Sequence, residues 1–521
     1  VKPLFLGIDI GTSGARVIAV DPDGKLEALA TVEYPLATPK PGWTEQNPGD
    51  WWSASADCLR KVIAKVGADR IRGIGLTGQM HGSVFLDTNG EVIRPALLWN
   101  DQRTGPECAE IEERVGKERL LALCGNRALT GFTAPKVLWL RNHEPENFAR
   151  LAHLLLPKDY LRLRLTGVYA SEVSDASGTL LLDVGRRTWS EPVMEALGLP
   201  MSILPALYEG SDITGRVSAD AARETGLPEG IPVVGGGGDQ AAGAVGVGLV
   251  SEGMASLSLG TSGVVFAASN KPGHLAAARA TTPAGLPAEA LSTVHSFCHA
   301  VPGMWHVMGV MLSAGGSLRW LRDTLYVRET AEARAANKEP YDTITGEASG
   351  VKPGAEGLVF LPYLTGERVP HPDPNARGAF VGLGLRHSRG HMSRAVLEGI
   401  AYGLRDNLDL IKALGVPVAE LRVTGGGAKS PVWRDILAGI LNTPLRQLAV
   451  DEGPAFGAAI LAAAGTGFFK DVPAACAAMV KTADGIAVQA DLAAEYAQLL
   501  PLFRETYLQL KPVFPGLLER A

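Results

Sequence analysis

Leu6-Gly7-Ile8-Asp9-Ile10-Gly11-Thr12-Ser13-Gly14 and Ala255-Ser256-Leu257-Ser258-Leu259-Gly260-Thr261-Ser262-Gly263 are two versions of one phrase, half a chain apart. In each, an apolar run of strand type ends in a turn of glycine and hydroxyl residues. A second apolar run follows, Val17-Ile18-Ala19-Val20 in the first copy and Val264-Val265-Phe266 in the second. This pattern predicts a β-hairpin whose turn presents backbone N–H groups and small hydroxyls, a surface suited to phosphate. The copies differ at one telling position: Asp9 precedes the first turn, and Ser258 stands there in the second. Two like turns with a single acid predict a duplicated fold around one metal–polyphosphate site.

The bulk numbers agree with duplication. A chain of 521 residues exceeds one core, which predicts two domains, 1–247 and 248–521. Hydrophobic residues make up 46% and charged residues 20%, the balance of a globular protein. The net charge of −6, with acids and bases interspersed, favours neither nucleic acid nor an anionic membrane as partner. The five cysteines are scattered and odd in number, which predicts a reducing cytoplasm rather than a disulfide framework. Val1-Lys2-Pro3 runs straight into a strand, without a leader pattern. Residues 240–270 carry one charge, Glu252, but their glycines and embedded turn predict strand–turn–strand and not a membrane span.

Strands and helices alternate along both halves, so the predicted class is α/β. Residues 4–10, 15–21 and 25–33 read as a β-meander, 50–66 as a helix and 71–77 as a strand. Residues 231–238 read as a buried strand ending in four glycines, with a helical piece over 241–247. In the second half, helices are predicted over about 311–325 and 392–414, and a strand over 421–424. Ser430-Pro431 marks a helix start, and the sequence after Asp471 reads as helical throughout.

Several segments carry chemistry. Asp9, at a strand end beside a phosphate-type turn, suits a carboxylate that places Mg²⁺ on the phosphates of ATP; a turn-capping Asp is the alternative. Gly235-Gly236-Gly237-Gly238-Asp239-Gln240 leaves an acid projecting at a strand–helix junction, able to take a proton from a hydroxyl as that oxygen attacks phosphorus. A helix cap would use the same acid but has no need of four glycines. Gln79, Met80 and His81 follow another strand, and Trp99-Asn100-Asp101 sets an aromatic ring beside polar groups; both segments suit a sugar pocket, and buried structural polars would have the same composition. His295, Cys298 and His299 lack the further ligands that zinc wants and read as core. Gly425-Gly426-Gly427 before the Ser430 helix suits contact with a base or ribose, while Walker A and Gly-x-Gly-x-x-Gly patterns are absent.

These pieces, in this order, resemble the FGGY family of carbohydrate kinases. Gly131-Phe132-Thr133-Ala134-Pro135-Lys136-Val137-Leu138-Trp139 and the stretch from Gly378-Ala379-Phe380 to Leu397-Glu398 are similar to the family's two signatures. The resemblance implies two actin-like (ribonuclease H-like) domains around an interdomain cleft, with a small-molecule sugar and ATP as partners and Mg²⁺ as cofactor. It implies Asp239 as catalytic base followed by Gln240, Met80 and His81 at the sugar, and Asp9 at the metal. The phosphates would lie on Gly11, Thr12 and Ser13 and on Gly260, Thr261 and Ser262, and adenosine on Gly425, Gly426 and Ser430. Residues 78–82, 99–101, 156–160, 174–179 and 294–300 read like members acting on D-xylulose. Ribulose, fuculose and glycerol are the alternative acceptors, an actin- or Hsp70-like ATPase is the rival class, and a homodimer is an option.

Overall fold

The computed structural model describes residues 2–277, 280–449 and 453–520. The N-terminal half builds on strands β1 (Leu4–Ile10), β2 (Gly14–Val20), β3 (Leu26–Glu33), β4 (Ile71–Gly78), β5 (Ile213–Arg216), β6 (Pro232–Val234) and β7 (Gly237–Gly238). Its helices include α1 (Pro48–Val66), α2 (Thr133–His143), α3 (Pro157–Thr166) and α4 (Asp239–Gly246). The C-terminal half contributes β8 (Gly253–Leu259), β9 (Gly263–Ser269), β10 (His295–Cys298), β11 (Trp305–Met311), β12 (Val418–Thr424), β13 (Leu445–Leu448) and β14 (Thr482–Ile486). With them come α5 (Gly315–Leu325), α6 (Arg389–Ala413), α7 (Pro431–Leu441), α8 (Gly453–Gly465) and α9 (Ala490–Leu510).

The first sheet runs β5-β6-β4-β1-β2-β3, and β7 resumes beside β4. The second runs β14-β13-β12-β8-β9-β11, with β10 added at its edge. Directions match as well as order. β1–β2 and β8–β9 are antiparallel hairpins; β1–β4 and β8–β12 are parallel. The two edge strands, β5 and β14, each run antiparallel to their neighbour, although β5 precedes its neighbour in the chain and β14 follows. The duplication read from two turns extends to six strands, and the fold is the two-domain, actin-like architecture of mixed sheets and helices.

The reasons are local. The inward residues of β1 are Leu4, Leu6, Ile8 and Ile10, all fully buried, and α1 covers that face with Trp51, Leu59 and Val62. Asn47 caps α1 by accepting from Gly49 N, and Ser430 caps α7 by accepting from Trp433 N. The segment expected to be one helix from 311 divides instead into the end of β11 and α5, which begins after Ser313-Ala314. The region after Asp471 holds β14 between two helices rather than helix alone. Thr-Ala-Asp-Gly-Ile has no strand pattern of its own, and pairing with β13 overrides its propensity. No helix among the described residues is long and apolar enough to cross a membrane.

One packing detail joins the halves. Helix α8, late in the chain, lies on the N-terminal sheet and crosses α4. A methyl carbon on Gly7 would fall 1.8 Å from Ala455 O, on Gly75 1.8 Å from Ala458 O, and on Gly457 1.7 Å from Ala242 O. Backbone therefore meets backbone on both faces of α8. The surrounding core draws Val234, Ala241 and Val245 together with Phe266, Phe297 and Phe456.

Candidate active site

Register places the two acids. Asp9 pairs with Thr77 across β1–β4, and Thr77 pairs with Gly237 across β4–β7. Asp239 follows Gly238 directly, so both acids stand at one end of the sheet, on strands separated by β4 alone. The break between β6 and β7 depends on glycine: Gly236 has φ 74°, and a methyl carbon there would lie 1.8 Å from Leu76 O. Only after that kink can β7 run beside β4 and aim α4, and with it Asp239, at the sheet end.

Burial shapes the electrostatics of both acids. Asp9 is raised to about 7, chiefly by burial and then by the charge of Asp239, with Arg16, its cross-strand neighbour, pulling it back. Burial likewise raises Asp239 to about 6 against the amide groups of Gln240. Asp9 Oδ1 is buried without a hydrogen-bond partner. An acceptor-only oxygen left in this state fits a hard cation, and no group of three potential metal-ligating side chains occurs among the described residues. That donor set suits Mg²⁺ completed by phosphate oxygens and water rather than an all-protein cage.

Both turns close antiparallel hairpins, β1–β2 and β8–β9, each with its first glycine N–H turned inward rather than presented. Gly11 N donates to Gly14 O at 3.1 Å, and Gly260 N donates to Ser262 O at 3.1 Å. The Thr12 side chain is otherwise engaged. Trp99 Nε1 donates to Thr12 Oγ1 (3.0 Å), which donates to Gln79 Oε1 (3.2 Å); Gln79 Nε2 donates to Gln46 Oε1 (2.9 Å), and Gln46 Nε2 returns to Thr12 O (2.7 Å).

A cavity of about 320 Å³ opens beside this loop, walled by His81, Trp99 and Phe132 from the N-terminal half and by His295, Phe297 and Arg368 from the C-terminal half. His81 adopts φ 68° and sets Nδ1 2.7 Å from Gly178 O. A carbonyl only accepts, so Nδ1 carries the proton and Nε2 keeps a lone pair. Burial holds His81 down to about 3, which leaves the ring neutral. Its backbone carbonyl accepts from Thr133 Oγ1 and from Lys136 Nζ, each at 3.0 Å, and burial lowers Lys136 to about 7.

Two of the residues expected at the sugar stand behind the cavity instead. The Gln79 amide is spent on Gln46 and Thr12, and Asp101 is buried with its carboxylate filled by Thr44 N and by the Arg103 backbone and guanidinium. Met80 is buried against the glycine turn, its Cγ 2.8 Å from where a methyl carbon on Gly238 would be. Sequence reasoning put His295 in the core; it reaches the cavity and hydrogen-bonds Asn126 Oδ1 at 2.9 Å. Arg368 was missed altogether, because nothing near it in the sequence marks a pocket.

A second cavity, of about 350 Å³, lies in the C-terminal half. Gly260 and Thr261 of the β8–β9 turn line it, with Gly426 and Ser430 before α7 and the Tyr341 and Trp433 rings. Arg319 Nη2 donates to Thr261 Oγ1 at 3.3 Å. Apolar walls with a cationic and hydroxyl rim suit a nucleoside joined to phosphates.

Comparison with known proteins gives one answer along the chain. Residues 4–246 match the family model for the N-terminal domain of the FGGY family of carbohydrate kinases, and residues 255–466 match that for its C-terminal domain. The chain is 43% identical to the xylulose kinase of Escherichia coli (strain K12) over 460 residues, 88% of this chain and 89% of that protein. It is 40% identical to the xylulose kinase of Lactococcus lactis over 519 residues, 99% and 98% of the two chains. The crystal structure of xylulose kinase from Rhodospirillum rubrum superposes with a TM-score of 0.89 at 32% identity, covering 98% of this chain and 99% of that one.

Proposed function

The chain belongs to the FGGY family of carbohydrate kinases, and from that premise we propose that it transfers the γ-phosphoryl group of ATP to the terminal hydroxyl of D-xylulose, giving D-xylulose 5-phosphate and ADP. The observation that carries the substrate is the similarity to xylulose kinases over nearly the whole chain. The sugar occupies the cavity between the halves. His81 Nε2 accepts from a sugar hydroxyl, Trp99 offers its ring face, and Arg368 reaches an oxygen from the opposite wall. Met80 and Gln240 back the reacting end, with Gln79 and Asp101 as supports. Adenosine sits near Gly425, Gly426 and Ser430, with Gly260, Thr261 and Ser262 at its phosphates and Gly11, Thr12 and Ser13 at the facing turn.

Asp239 accepts the proton of the attacking hydroxyl. Its carboxyl, raised to about 6, is mostly ionised at neutral pH yet basic enough to take that proton. Asp9 would hold Mg²⁺, which neutralises charge on the phosphates. Most of the acceleration comes from alignment, because a loose phosphoryl transition state asks little of a base. Cysteines that are all free, four of them buried, support a reducing, cytoplasmic setting.

The test is Asp239→Asn assayed for ADP release and phosphorylated sugar across D-xylulose, D-ribulose and glycerol. The wild type should prefer D-xylulose, and the variant should lose about 10²- to 10⁴-fold in kcat while still binding sugar. Full turnover in the variant would remove the base, and ADP release without a sugar phosphate would favour an ATPase switch.

A further inference from the structure

The four-glycine turn that aims Asp239 is held at both ends by charged and polar groups that the proposed reaction does not use. At its start, Arg162 Nη1 donates to Val234 O (2.9 Å) and Nη2 to Gly235 O (2.7 Å). At its end, Gly238 N donates to Ser174 Oγ (3.2 Å). The two grips belong to one network. Ser174 Oγ donates to Glu172 Oε1 (2.9 Å), Lys158 Nζ lies 3.4 Å from Glu172 and 2.7 Å from Asp159, and Asp159 faces Arg162 at 3.4 Å. All five of these side chains are fully buried.

The same segment reaches the neighbouring parts of the site. Gly178 O holds His81 Nδ1, and Ser177 Oγ accepts from Cys298 N of β10 at 3.0 Å. Asp175, 3.3 Å from Lys158, completes the cluster, and burial raises its carboxyl well above the usual range. Two cations, Lys158 and Arg162, thus lie among three carboxyl groups, Asp159, Glu172 and Asp175, in one buried cluster. A buried ionic cluster of this kind seldom adds stability over an apolar one, so its presence calls for another reason. Glycine supplies that reason: a turn that needs Gly236 at positive φ has little rigidity of its own.

We propose that Arg162 and Ser174 are positioning residues that clamp the two ends of the 235–238 turn and so fix the direction of Asp239. This rests on the reading of Asp239 as the base. Ser174→Ala removes one oxygen, and Arg162→Lys leaves one cationic contact where two hydrogen bonds stood; the variants loosen opposite ends, so either one that folds is sufficient.

The experiment compares both with the wild type and with Asp239→Asn, measuring kcat and KM for D-xylulose and ATP, with peptide-level hydrogen exchange over 235–240. The expected result is a fall in kcat of about 10- to 100-fold, both KM values within about two-fold of wild type, and faster exchange at the turn. Unchanged kcat in a folded variant would overturn the clamp, as would slow exchange at the turn. An inactive Asp239→Asn beside a fully active Ser174→Ala sinks the clamp alone. An active Asp239→Asn sinks the base and, with it, the premise.

Discussion

Asp9 keeps a buried oxygen with no protein partner, and this has a consequence for the protein without ligands. Its carboxyl is raised from 3.8 to about 7, so the folded state holds the proton over a range where the unfolded state has released it. Stability from this source is therefore greatest below about pH 4 and is lost as pH rises through 7. Asp9→Asn removes the ionisation. Its thermal midpoint should exceed that of the wild type by more at pH 8 than at pH 5.5; an equal difference at both would assign the cost to another group. The residues that the sequence singled out and the structure places at the sheet end or the cavity, Asp9, Asp239 and His81, are each framed by glycine. Gln79 and Asp101 have the right chemistry, and only three-dimensional partners reveal that it is already used. Arg368 was invisible because the cavity it lines takes its opposite wall from the far half of the chain.

Strands and helices were legible where one face is buried and caps are local. β1, β2, β3, α1 and α7 fall within two residues of expectation, since alternation and capping residues lie inside each segment. The strand expected over 231–238 is two pieces, β6 and β7, because a positive φ at Gly236 is a tertiary demand that a run of glycines does not disclose. β14 was missed because its partner, not its composition, makes it a strand. The seat of α8 on β1 and β4 gives a sharp test of such demands. Gly75→Ala would drive a methyl carbon to 1.8 Å from Ala458 O and should destabilise by about 3 kcal/mol or more. Gly346→Ala, at an exposed position of the helix Tyr341–Ser349 with nothing within 4 Å of the new carbon, should instead stabilise by about 0.5–1 kcal/mol. Urea midpoints of the two variants decide the matter, and equal shifts would mean that the helix yields freely.

For the molecule as a whole, the sequence showed the duplication but not the exchange of elements between its copies. A boundary near residue 247 divides the chain; packing divides it otherwise, since α8 is encoded in the C-terminal half and rests on the N-terminal sheet that carries Asp9. The connection at Ser251 and Glu252 is exposed, and Leu249 beside it is buried. A protease site placed at 251–252 should therefore yield two fragments that elute together and keep most of the activity, whereas residues 1–247 made alone should aggregate. Fragments that part on cutting would show that the covalent link does the holding. The same seat means that the halves are joined by a helix lying in a trough of glycines, so the peptide between them is a leash and not the clasp.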